Sequence, residues 1–153
     1  MIYAHRQPHQ ANPAQVPKFW RKKLPDSAKL NVQVIHWDLF HRFTDGSATV
    51  VELWDWVETG FTYQEMARLL LDDGVHVTTE AVAAIAEQIS IYDSVIQRCK
   101  RVGRPGFSGT EYWIAHAAVQ TMDSLIHKDR HGIGLKAALL SGPLMHALRK
   151  QHD

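Results

Sequence analysis

Histidine is the side chain with the most chemical scope in this sequence, occurring ten times in 153 residues. His127 and His131 are spaced i, i+4, which places two imidazoles on one helical face, as a divalent transition metal requires. His116 and Asp123 extend that stripe. No Glu-x-x-His pair and no His-Glu-x-x-His run completes a recognisable ligand set, so these four are read as ordinary surface or partly buried residues. No metal and no cofactor is expected; His116, Asp123, His127 and His131 are where a metal would be sought. Cys99 lies between Arg98 and Lys100, cations that lower a thiol pKa, but its place in an apolar seam assigns it to packing. The glycine-flanked serine of hydrolases, the Walker glycine loop, a Cys-x-x-Cys pair and paired carboxylates are all missing, and a non-enzymatic protein is expected.

The cations form two groups. Lys18, Arg21, Lys22 and Lys23 surround Phe19 and Trp20 in a Pro-rich stretch. That mixture suits nucleic acid or an acidic protein surface, or else a tail whose two aromatics dock on the core. Arg98, Lys100, Arg101 and Arg104 form the second group, and with Gly103 and Pro105 they partly resemble the minor-groove AT-hook, whose core is Arg-Gly-Arg-Pro. Val102 stands where the hook needs arginine, so the group reads as a helix end whose cations complement the C-terminal dipole. Residues 1–25 carry five Lys or Arg and no acid, for +5; residues 26–60 sum to −4, residues 61–97 to −5 and residues 98–153 to +5. Basic ends flank an acidic centre, and a polyanion would prefer the ends.

Length and composition allow one domain with a real core. Four of the six prolines fall in residues 1–25, which read as an extended basic arm preceding a helical domain over 26–153. Capping-box spacing places helix starts at Thr49 with Glu52, Thr62 with Glu65, and Ser108 with Glu111. The first helix is expected over 27–43, burying Leu30, Val34, Trp37 and Phe40. Two shorter helices follow over 50–58 and 63–72, separated at Gly60, the first with Leu53, Trp54 and Val57 inward and the second with Met66, Ala67, Leu70 and Leu71 inward. A long helix over 79–101 ends at Gly103, one over 110–128 packs on it through Ile114, Ala118, Met122 and Leu125, and a last pair is broken at Ser141, Gly142 and Pro143. Of the tryptophans, Trp54 and Trp56 cannot both face inward on one short helix, so the exposed one is a candidate contact residue, while Trp37 and Trp113 read as core anchors or interface residues.

Thr62, Tyr63, Glu65, Ala67 and Leu70, then a turn at Gly74, then Val77, Thr78 and Val82, resemble the helix-turn-helix superfamily, including the type found in transposase, terminase and repressor domains. The resemblance covers residues 61–89 and implies a helix-turn-helix-like unit over about 49–89. It departs in its longer turn and in a second helix that offers Glu80, Ala81, Ala83, Ala84, Glu87 and Gln88, which phosphates would repel. That helix continues as a seam of Val82, Ile85, Ile89, Tyr92, Ile96 and Cys99, spaced by threes and fours, which calls for a partner helix of the same chain or of a second copy in a homodimer.

The sequence therefore predicts an all-α, single-domain bundle of five to seven helices. Its expected function is that of a cytoplasmic interaction or regulatory protein, self-associating or binding a protein partner through the seam or the acidic face, with no membrane contact. The alternative is a DNA-binding regulator using the basic arm and the 98–104 cluster.

Overall fold

A computed structural model describes residues 26–153, and the arm over 1–25, with Lys18, Arg21, Lys22 and Lys23, lies outside the described residues. The described residues are all-α, with α1 Asp26–Asp45, α2 Val50–Asp72, α3 Thr79–Ser90, α4 Tyr92–Val102, α5 Gly109–Ile126 and α6 Ile133–Gln151. None of these helices is long and apolar enough to cross a membrane.

Two of the three capping boxes form. Thr49 and Glu52 open α2, and Ser108 and Glu111 open α5, each pair satisfying backbone donors that the first helical turn leaves free. The third, at Thr62, does not, because α2 runs straight through Gly60 and leaves no helix start there. Thr62 Oγ1 instead donates to the Glu58 carbonyl and shares a buried 2.7 Å hydrogen bond with Ser141 Oγ on α6. The predicted break at Pro143 is likewise absent, α6 continuing through it with the proline ring exposed. An internal proline costs a helix about 3 kcal/mol, and the extensive packing of α6 on α2, lined by small groups at Thr62, Ala138, Ser141 and Gly142, offsets it.

The expected long helix is two helices. Ile91 turns the chain between α3 and α4, its N–H bonding to the Gln88 and Ile89 carbonyls. The reason lies in what each half packs against. Ile85 joins a cluster with Tyr63, Met66, Leu70, Met122, Leu125 and Ala137, whereas Tyr92, Ile96 and Cys99 join a second with Phe40, Phe43, Trp56, Val119 and Met145. Ile89 touches both clusters, so the bend redirects one seam from the first to the second.

The inward face of α1 is also corrected. Val32, His36, Phe40 and Phe43 are buried, while Leu30 and Val34 are 63% and 59% exposed. At 3.6 residues per turn the stripe of Leu30, Val34, Trp37 and His41 lies roughly opposite the buried one, so α1 is apolar on two sides and its sequence period fits either.

Candidate interaction surface

The second apolar side of α1 faces a groove along α5. Leu30, Gln33, Val34, Trp37, Asp38 and His41 line it from α1 and Asp123 lines it from α5, around a volume of about 490 Å³. Among the described residues, two carboxylates and no lysine or arginine line it. The Trp37 indole donates to Asp123 Oδ2 at 2.7 Å, which fixes the ring as one wall. The other oxygen of that carboxylate, Oδ1, is buried and has no hydrogen-bond partner among the described residues, a state that ordinarily costs about 1–3 kcal/mol. Beyond Trp37 the aromatic surface continues through His116, 5.2 Å away between ring centres, to Trp113, which is 67% exposed. Exposed tryptophan beside aliphatic side chains, with polar groups at the edge, is the composition of protein contact sites.

Sequence reasoning missed this face because it assigned Leu30 and Val34 to the core. The usable signal was the second stripe itself: a helix apolar on opposite sides has one side more than its own fold needs.

The residues singled out as chemistry are dispersed. His127 Nε2 pairs with Gln33 Nε2 at 2.9 Å, Asp123 with Trp37, His131 Nδ1 with Asp73 at 3.2 Å, and His116 with the Trp37, Tyr112 and Trp113 rings. Among the described residues no three His, Cys, Asp or Glu side chains converge as a metal site would need. Cys99 is buried, and burial pushes its thiol pKa up, away from nucleophilic use.

The seam closes inside the chain: Ile85, Tyr92, Ile96 and Cys99 are buried and Ile89 partly so, leaving Val82 as its exposed member. Within this chain it is therefore core. Trp56, not the Trp54 expected inward, is the buried tryptophan of α2, and Trp54 is half-buried under the Arg149 guanidinium, 5.3 Å from its ring centre.

The second cation cluster divides by role. Arg98 is bound to Glu111, with one Nη2 to Oε2 contact at 3.1 Å, and also donates to the Gly106 carbonyl. Glu111 is nearly enclosed; burial pushes its carboxyl pKa up, but Arg98, the Ser108 N–H and Ser94 Oγ together outweigh that and hold it at about 2. Lys100 donates to the His152 carbonyl, Arg101 is exposed, and the Arg104 guanidinium rests against Gly46. Gly103 ends α4 in the left-handed conformation at φ 92°, and the Arg-Pro that follows is the helix exit.

A different buried polar pair lies under α1. His36 Nε2 and Tyr63 Oη are 2.8 Å apart with both side chains enclosed, and burial lowers the imidazole pKa to about 4 while raising that of the phenol. His36 is thus neutral at pH 7 and structural.

Comparison with known proteins adds no relative. No protein-family model matches the chain, and no curated protein or solved structure does so either.

Proposed function

We propose that this chain is a non-enzymatic interaction protein whose α1–α5 face takes a segment of a protein partner carrying an aromatic or aliphatic anchor flanked by Lys or Arg. The observation that carries this reading is the exposed Leu30 and Val34 stripe beside the fixed Trp37 wall, bordered by Asp38 and Asp123. The stripe supplies the apolar contact, and an ammonium or guanidinium at the edge faces the carboxylates of Asp38 and Asp123. Charge at the edge of such a face chiefly sets partner choice and association rate, while the apolar centre holds the complex. The reading replaces the buried seam with a face whose Leu30 and Val34 are exposed.

The test is titration of the full chain with synthetic twelve-residue peptides holding one Trp between lysines, against matched peptides with Glu for Lys or Ala for Trp. The Lys-flanked Trp peptide should shift the Trp37 indole resonance, and Val34→Glu should weaken binding at least about tenfold, the equivalent of about 1.4 kcal/mol. Equal binding by all three peptides, or by wild type and Val34→Glu, would sink the reading.

A further inference from the structure

The groove lies between two helices that run side by side in opposite directions. Gln33 of α1 meets His127 just past the end of α5, Trp37 meets Asp123 and His116, and Phe40 meets Tyr112 near the start of α5. Leu30, Val34, Trp37 and His41 follow one another at spacings of four, three and four, so the α1 wall is a single helical stripe about 16 Å long at 1.5 Å per residue. Asp38 is exposed and lies one turn after Val34, on the flank of the stripe away from Trp37. Asp123 stands on the opposite flank, where its Oδ2 is already bound by the Trp37 indole, so a directional contact to an incoming cation falls to Asp38.

Backbone chemistry decides what conformation can lie there. The lining from Leu30 to His41 sits four residues inside both ends of α1, so its amides and carbonyls are engaged within the helix. Among the described residues there is no strand, and the groove offers no edge to which an extended peptide could add. Laid along the Leu30 and Val34 stripe, an extended segment would desolvate N–H and C=O groups that find no partner on the wall, whereas a helix satisfies its own. A proline-rich segment docks in aromatic-lined grooves, and the exposed centre of this one is aliphatic.

Resting on the reading of the α1–α5 face as a docking surface, we infer that the partner segment is a basic amphipathic α-helix of about three turns seated between α1 and α5. Its apolar anchors, at i, i+4 and i+7, cover Leu30, Val34 and Trp37, and a Lys or Arg beside them reaches Asp38. Three features fit this occupant: a stripe with helical spacing, walls with no free backbone groups, and a lining whose formal charges are carboxylates alone among the described residues.

Titration of the full chain with three synthetic peptides of about sixteen residues, long enough to hold a helix in water, tests the inference. The first sets Leu at i, i+4 and i+7 with Lys beside them in an Ala-rich host. The second rearranges the same residues so that Leu falls at i, i+2 and i+4, which share a face only in an extended chain, and the third is the first with a central proline. Followed by the Val34 methyl and Trp37 indole resonances, the first should bind at least about tenfold more tightly than either of the others. Isotope-labelled, it should show helical carbon shifts when bound. Binding of the second or third as tight as that of the first, or extended shifts in the bound first peptide, overturns the inference; if Val34→Glu still abolishes that binding, the docking face stands and only its helical occupant fails. If none of the three binds, the inference fails, and the docking face fails with it where the Lys-flanked Trp peptide does not bind either. Asp38→Asn should reduce the preference for the first peptide over its Glu-for-Lys counterpart, and an unchanged preference overturns the placement of the cation at Asp38.

Discussion

The Tyr92 hydroxyl fills the space that a Cβ on Gly60 would need, and it also donates to the Trp56 carbonyl one turn earlier on α2. This contact explains both the glycine in the middle of a 23-residue helix and the absence of a break there. Gly60→Ala, which in an exposed helix interior would stabilise by about 1 kcal/mol, should here destabilise by about 1–3 kcal/mol through overpacking. Urea unfolding of Gly60→Ala, Tyr92→Phe and the double variant gives the check. Removing the hydroxyl should recover part of the alanine penalty, so the double variant should be more stable than the two separate losses sum to.

The His36 and Tyr63 pair predicts an acid-sensitive fold. The imidazole pKa is about 4 in the folded chain against 6.5 for an unperturbed histidine, so between those values the unfolded chain binds more protons and stability must fall as pH falls. The contribution is whole above pH 6.5 and is lost on approach to pH 4, with an upper bound of about 3.5 kcal/mol at about 1.4 kcal/mol per unit. Urea unfolding of wild type and His36→Gln at pH 7, 5.5 and 4.5 should show the wild-type decline reduced in the variant. Parallel declines would assign the acid sensitivity elsewhere.

How far the sequence could be read depended on whether a signal was local. The caps at Thr49 and Ser108 and the stop at Gly103 involve residues within a turn of each other, and all three stand where spacing placed them. Gly60 and Pro143 are ordinary breakers whose effect is reversed by partners distant in sequence, Tyr92 for the one and the α2 surface for the other. Thr62 had a cap's spacing and became a contact to Ser141 instead. The groove was hidden for another reason: periodicity finds an apolar stripe but does not say which of two opposite stripes on α1 faces the core.

Glu111 and Arg98 form the most enclosed ion pair among the described residues, with side chains 7% and 28% exposed. Removing one member leaves the other desolvated, a loss of about 3–5 kcal/mol for fully buried pairs and correspondingly less where Arg98 reaches solvent. Glu111→Gln should therefore destabilise by about 2 kcal/mol or more, while Arg101→Ala, an exposed change, should stay within about 0.5 kcal/mol. The carboxyl pKa of about 2 against 4.5 means that this contribution is present above pH 4.5 and is lost as pH falls toward 2. Thermal unfolding at pH 7 and at pH 3 distinguishes the two: the gap between wild type and Glu111→Gln should narrow at the lower pH.

Burial of the seam makes a prediction opposite to that of an interface. Ile85 and Ile96 are each 1% exposed and lie in different clusters on either side of the Ile91 bend. Truncation to alanine removes apolar contact and leaves a cavity, costing about 2–5 kcal/mol at each site. Because both sites belong to the core of one chain, the loss should be independent of protein concentration, whereas an interface residue would show a midpoint that rises with concentration. Lying in different clusters joined only through the partly buried Ile89, Ile85→Ala and Ile96→Ala should also sum nearly additively in the double variant. Val82→Ala, at the exposed end of the same seam, should cost far less. Urea unfolding of the three variants at two concentrations a hundredfold apart, with sedimentation of the folded chain, decides it: a concentration-dependent midpoint for Ile85→Ala or Ile96→Ala would return the seam to a surface between copies.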